Sequence, residues 1–438
     1  MAHITAADIQ VEINERPMSF FQVGVIGLCV MINMLDGFDV MVMPFAASSV
    51  SEEWQLTQVF LGLLLTSALV GMAIGSLVLA PFGDVWGRRK LMLFCLGLVT
   101  LGMLLSSQVS SSYQLMFFRF LTGLGIGGML ATLNTLVSEF SNNARRGLSI
   151  SILQSAFPLG AIVGGIVSVY LISEYGWRSL FLFGGLASMV MMPLVYWKMP
   201  ESLDFLLSQK SDGVLSDVNK LRKNMGLAEI DSYERLGQKE RSGGLKVILN
   251  KPFWRSTYLI WISFFCLMFA FYYVVSWTSK LLVDAGLTTA QGISANIYVM
   301  TGGIVGSVVL GLLTWRYDVT RLTSFYLMLC VVSMSVFGLA NLELVSLMIC
   351  ASVMGFFLIG AMIGLYTIAP SLYPATHRVT GMGWAIGIGR IGAIISPFFG
   401  GVLLNWGFHT SQIIVIFALP LLFAAIAIWR IKLARSLA

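Results

Sequence analysis

Leu35-Asp36-Gly37-Phe38-Asp39 lies in the middle of an apolar run from about Phe20 to Phe45, long enough to cross a bilayer. Asp36 and Asp39 are three residues apart, which on a helix leaves them about 60° apart and able to face one cavity. A charge held in hydrocarbon costs about 2.5–3.5 kcal/mol on insertion scales. Two such acids are either used or hidden, by snorkelling to an interface or by closing a salt bridge. Their depth in the run favours use.

The whole chain fits that reading. It has 438 residues, 57% hydrophobic and only 11% charged, with a mean hydropathy of +0.85. Soluble domains carry about 25% charged residues. This composition therefore describes an integral membrane protein. The polar start, Met1 to Pro17, has Arg16 as its one base and lacks a cleavable signal pattern. The five cysteines (Cys29, Cys95, Cys266, Cys330 and Cys350) fall inside apolar runs without metal or redox spacing and read as packing residues. The histidines, His3, His377 and His409, sit outside the deep parts of the spans, and no nucleophile–base or metal-ligand set appears. An enzyme is therefore not expected, nor a metal, nor a cofactor other than protons.

Apolar runs recur near 20–45, 56–81, 90–108, 113–139, 147–172, 178–197, 255–280, 291–315, 321–340, 344–370, 379–404 and 410–430. Twelve spans predict an all-α polytopic membrane protein. With the N-terminus inside, 23 Lys and Arg fall on the cytoplasmic side and 2, Arg178 and Lys280, on the other. The positive-inside rule thus places both termini in the cytoplasm. The net charge of +6 reflects this distribution and does not point to nucleic acid.

The division expected is a six-helix half over 1–197, a cytoplasmic linker over 198–254, and a second half over 255–438. The linker holds short amphipathic stretches such as Val214 to Leu221 and reads as solvated, with too little apolar core for a ligand-binding domain. The halves echo each other: Gly147 and Gly381, like Asp84 and Asp318, are offset by 234 residues. Two six-helix pseudo-repeat halves suggest rocking about a central site.

The most specific local signal is Ala80-Pro81-Phe82-Gly83-Asp84-Val85-Trp86-Gly87-Arg88-Arg89-Lys90. It resembles the loop between spans two and three of the major facilitator superfamily, with Ala80 in place of the usual leading glycine. The resemblance implies the major facilitator fold and a cytoplasmic latch that holds the outward-facing state and breaks on opening inward. Gly83, Asp84, Gly87 and Arg88 would form it, with Glu139, Arg145 and Arg146 as partners and Arg378 as a gate or anchor in the second half. The alternative is plain positive-inside anchoring. The second-half counterpart, Trp315 to Arg321, is degenerate.

Arg119 begins Arg119-Phe120-Leu121-Thr122-Gly123-Leu124-Gly125, similar to the superfamily's span-four pattern associated with proton coupling. A guanidinium binds carboxylates through two parallel bonds, so Arg119 could pair with Asp36, Asp39 or a substrate, or could snorkel to the outer interface. Arg390 lies about ten residues from either end of span eleven. An unpaired arginine at that depth is costly, and an anionic substrate is its natural partner. Phe38, Tyr273, Trp277, Tyr298 and Trp384 are candidates to cover that substrate, alongside Phe271, Tyr272 and Tyr366.

Asp36-Gly37-Phe38-Asp39, the span two–three loop, and Pro200-Glu201-Ser202-Leu203-Asp204-Phe205-Leu206 together resemble the aromatic acid:proton symporter branch of that superfamily. The resemblance implies uptake of an aromatic or related organic acid anion across a bacterial inner membrane. Asp36, Asp39 and Arg119 would handle the proton, Asp39 being favoured as its carrier. The expected partners are a small organic acid and the lipid bilayer, with the protein acting as a monomer. The main rival is a proton-coupled drug exporter, suggested by Gln154 to Gly160 in span five, although an exporter of cations prefers an acid where Arg390 stands. A sensor built on a carrier fold would carry a larger soluble domain than the linker offers.

Overall fold

The computed structural model describes residues 6–209, 214–230, 232, 245–251, 253–340, 342–373 and 377–431. Among them are twelve helices long and apolar enough to cross a membrane. In hydrocarbon no water satisfies backbone N–H and C=O groups, so each apolar run closes its own hydrogen bonds as a helix. In chain order they are α1 (Phe20–Trp54), α2 (Gln58–Val78), α3 (Arg88–Ser106), α4 (Ser112–Glu139), α5 (Arg146–Tyr175) and α6 (Arg178–Lys198). The remaining six are α7 (Trp254–Asp284), α8 (Thr289–Leu313), α9 (Val319–Leu339), α10 (Leu344–Ser371), α11 (Arg378–Asn405) and α12 (Thr410–Arg430).

Polar caps set the helix starts. Ser19 and Gln22 form a capping box on α1, Thr288 and Gln291 one on α8, and Asp318 accepts from the N–H groups of Thr320 and Arg321 at 2.9 and 3.1 Å. The side chain of Thr320 bonds to Asp318 as well, and together these bonds hold its carboxyl below the usual carboxylate range. Helix α1 is longer than its apolar run. It continues through Pro44 to Trp54, where Glu53 takes both Arg178 guanidinium nitrogens at 2.7 and 2.8 Å and the Trp177 indole N–H at 2.7 Å.

Twelve crossings return the chain to the face from which α1 started. That face carries Arg88, Arg89, Arg145, Arg146, Arg316, Arg321, Arg378 and Arg430, and is called the basic face below. Among the first six helices α1 packs on α5, α2 on α4, and α3 on α4 and α6; among the last six α8 packs on α10, α9 on α12, and α7 on α11 and α12. The α1–α5 contact depends on two glycines. A Cβ at Gly37 would collide with the Phe157 carbonyl, and one at Gly160 with the Met34 carbonyl. Backbones this close are how membrane helices gain packing energy without a hydrophobic drive.

The two sets of helices meet mainly through α2 with α11, α5 with α8, and α1 with α7. The Thr66 hydroxyl donates to the Ile394 carbonyl at 3.3 Å, Gly62 and Gly401 bring α2 and α11 together, and Gly165 faces Ile297. All these contacts lie toward the face opposite the basic one. The same side of α11 continues as Gly387 and Gly383, where an added Cβ would meet nothing within 4 Å. The matching side of α2 runs on to Leu77, which is 75% exposed. The halves are joined at the far face and parted at the basic face.

The linker departs from expectation. Val214–Asn224 is helical, and Val214, Val218, Leu221, Met225 and Leu227 are buried with Leu206, Leu207 and Ile9 of the N-terminal helix Ala6–Glu15. Arg222 is buried too and pairs with Glu12 at 2.9 Å. The described part of the linker therefore adds its apolar face, with that of the N-terminal helix, to the buried core of the protein and is not simply solvated.

Candidate functional site

Asp39 and Arg119 are fully buried, and Asp36 nearly so. One Arg119 Nη donates to the Asp39 main-chain carbonyl at 2.7 Å, the other to Met103 Sδ at 3.2 Å, and the guanidinium carbon lies 5.8 Å from the Phe181 ring centre. Arg119 thus does not snorkel. Nor does it close the expected ion pair with either acid among the described residues. Both Asp39 carboxylate oxygens and Asp36 Oδ2 lack a hydrogen-bond partner. The cluster holds one guanidinium against two carboxyls, so it is electrically balanced when one carboxyl carries a proton. In a buried site that balance is worth several kcal/mol, at about the level of an uncompensated charge.

Asp39 does not line a cavity between the halves. Its Oδ1 lies where a side chain on Gly184 of α6 would stand, beside Phe38 and Met103. A small cavity between the halves is walled by Val40, Met43 and Pro44 of α1, by Arg119, and by Tyr272, Val275 and Ser276 of α7. Arg119 therefore touches the Asp39 main chain on one side and the interhalf gap on the other. Helix α1, apolar nearly all round, carries little information on which way it faces.

Across the gap, Arg390 of α11 is partly exposed, and among the described residues no carboxylate lies within ion-pair distance of it. Its neighbour Gly389 packs against Phe264 and Met268 of α7. Tyr366 is held edge-on to Phe264, ring centres 5.5 Å apart.

The other aromatic candidates are placed differently. Phe38 is buried edge-on to Phe183 at 5.6 Å, inside the first six helices. Tyr273 stacks on Phe417 at 3.9 Å, and Trp277 donates its indole N–H to the Pro397 carbonyl at 3.0 Å; both are buried. In this conformation these three are packing residues, because their rings fill space between neighbouring helices. Tyr298 is 45% exposed on α8, and Trp384 is 42% exposed beside Trp261, nearer the basic face than Arg390.

At the basic face the α2–α3 loop is held within the first half. Gly87 has a φ of +97°, which only glycine adopts easily, and turns the chain into α3. Arg88 pairs with Glu139, lies 3.7 Å from Asp84, and donates to the Ser202 hydroxyl at 3.0 Å. Ser202 in turn donates to Glu139 at 2.6 Å. Glu201 accepts from the backbone N–H groups of Arg88 and Arg89 at 2.7 and 3.1 Å, an acid on a helix N-terminus. Glu201 and Ser202, which stand in the sequence only as part of a motif, complete this network. Gly83 is buried beneath them, against Leu91 and Arg88. Arg145 and Arg378, by contrast, stand outside this network. Arg145 is exposed at the start of α5, Arg146 binds Asn14 of the N-terminal helix at 2.6 Å, and Arg378 donates to the Tyr373 carbonyl at 3.1 Å. Tyr373 follows Glu139 by the repeat offset of 234 and bonds Thr257 at 2.9 Å, so the second half has no matching acid there.

Twelve membrane helices, joined at one face and parted at the other beside a buried charge cluster, define a polytopic membrane carrier open in this conformation to its basic face. The comparisons with known proteins agree. The Major Facilitator Superfamily matches residues 27–350. The Gallate transporter of Pseudomonas putida is 30% identical over 96% of this chain and 94% of its own, and the 4-hydroxybenzoate transporter PcaK of Acinetobacter baylyi 31% over 97% and 94%. Among solved structures, the inward open conformation of the xylose transporter XylE from E. coli matches with a TM-score of 0.73 at 14% identity, over 95% of this chain and 98% of that one, a likeness of fold alone. The chain belongs to the Major Facilitator Superfamily, and it is a transporter and not an enzyme.

Proposed function

We propose that the chain imports a benzoate-like aromatic carboxylate together with a proton across a bacterial inner membrane, by alternating access. One asymmetry carries this reading: a buried cluster of two acids and one arginine in the first half faces, across the gap, an arginine free of any described carboxylate in the second. The first is suited to a proton and the second to an anion. The names of the relatives, transporters of gallate and of 4-hydroxybenzoate, support the substrate class. Lys and Arg counts support a cytoplasmic basic face, which makes this conformation inward-facing.

Arg390 holds the substrate carboxylate, with Tyr366 on the neighbouring helix α10. A proton taken from the outer side balances the acid cluster, the loaded carrier closes outside and opens inside, and the proton leaves to the more alkaline cytoplasm. One proton with one monoanion moves no net charge, so the pH gradient alone drives it at about 1.36 kcal/mol per unit. The Arg88–Glu139–Ser202 network, intact while the basic face is open, acts as a brace of the first half that carries its linker along.

The test of substrate class is an uptake panel of labelled benzoate, 4-hydroxybenzoate, gallate and non-aromatic carboxylates in cells expressing the chain. Aromatic carboxylates are expected to be taken up, faster at acidic external pH. Uptake of organic cations, or of none of the aromatic acids, contradicts the reading.

A further inference from the structure

Tyr272 of α7 faces Arg119 across the gap, on the helix that packs along α11, where Arg390 stands. It lines, with Ser276, a cavity of about 10 Å³ whose opposite wall includes Arg119, and Met268, one helical turn before it on α7, packs on Gly389 beside Arg390. That volume holds about one water, and a water there would find polar partners on both sides. Arg119 has a buried Nε without a partner. Ser276 is buried as well, one helical turn along from Tyr272 on the same side of α7. No other residue lining the cavity carries a hydroxyl, and neither Asp36 nor Asp39 reaches it.

We propose that Tyr272 is the coupling residue of the carrier, linking Arg119 in the first half to Arg390 in the second. This rests on the proton-coupled reading above and adds its route. When Asp39 is ionised, Arg119 is drawn toward the acids. When a proton neutralises the cluster, Arg119 is free to engage the gap, directly or through one water, and Tyr272 passes that change to the anion site. The charged and titratable groups around Tyr272 are Arg119 from α4, Arg390 from α11 and Tyr366 from α10, with Asp36 and Asp39 of α1 behind Arg119. Tyr272 acts through the two arginines, which makes it a positioning residue.

The test is Tyr272→Phe in proteoliposomes, read with labelled 4-hydroxybenzoate. The wild type is measured first. If it neither binds nor exchanges 4-hydroxybenzoate, benzoate or gallate, the proposed function fails before the coupling is examined. With an active wild type, Tyr272→Phe is expected to keep binding within about threefold and to keep substrate exchange, while pH-driven accumulation falls about tenfold and the pH dependence of apparent affinity flattens. Tyr366→Phe, on α10 next to the helix of Arg390 and outside the cavity that Arg119 lines, is expected to weaken affinity and retain the accumulation ratio. Wild-type accumulation by Tyr272→Phe, or equal loss of binding and accumulation, overturns the proposal. Should Tyr272→Phe fail to purify as a folded species, Ser276→Ala reads the same gap: a selective loss of accumulation supports the coupling role, and wild-type accumulation overturns it.

Discussion

Replacing Asp39 with asparagine is expected to abolish accumulation driven by a pH gradient while leaving exchange of substrate for substrate intact. Asparagine has the shape of a protonated aspartic acid and cannot release a proton. Both carboxylate oxygens of Asp39 lack a donor in a fully buried position, and only its main-chain carbonyl is taken by Arg119. An ionised group so placed is costly, and a proton relieves that cost. In the variant, Arg119 and Asp36 stay permanently balanced, so the carrier cycles but no longer reads the gradient. Wild type should accumulate substrate about tenfold per unit of pH difference, inside alkaline, the equivalent of about 1.36 kcal/mol. The variant should level off at equal concentrations, measured as the steady-state ratio of labelled substrate at several imposed gradients.

Arg390→Ala is expected to weaken substrate binding about 100-fold. A charge-assisted contact to a carboxylate contributes about 1.5–3 kcal/mol, and a two-pronged guanidinium contact lies at the upper end. Arg390→Lys should recover only part of this, because an ammonium cannot supply both parallel bonds. Since no described carboxylate pairs with Arg390, its loss leaves no orphaned acid behind, and the folded protein should persist. Direct titration of the purified variant checks this, and wild-type affinity would remove Arg390 from the substrate site.

Much of this architecture is legible in the sequence because hydrocarbon permits so few solutions. Twelve apolar runs become twelve helices, and two acids within one of them stand out. Helix facing is harder to read. A helix apolar on every side hides its orientation, so Tyr272, which meets the gap, and Tyr273, which stacks on Phe417, look alike as neighbours in a chain. Phe38 lies between Asp36 and Asp39 and turns instead onto Phe183 and the glycines of α5 and α6. The role of Glu201 was equally hidden. It is 113 residues from the Arg88 N–H it accepts, and only the return of the chain after α6 brings the two together. The burial of the linker is hidden because part of what covers it, Ile9 and the Glu12 partner of Arg222, comes from the N-terminal helix about 200 residues away.

The most direct test of proton-coupled uptake is the direction of proton movement when substrate is added. Purified protein is reconstituted into vesicles containing a pH-sensitive dye, with no initial gradient, and 4-hydroxybenzoate is added outside. Proton-coupled uptake is expected to acidify the lumen in step with labelled substrate uptake, beyond the change in protein-free vesicles, and this acidification disappears in Asp39→Asn. Alkalinisation of the lumen, or substrate uptake with no protein-dependent pH change, would contradict it.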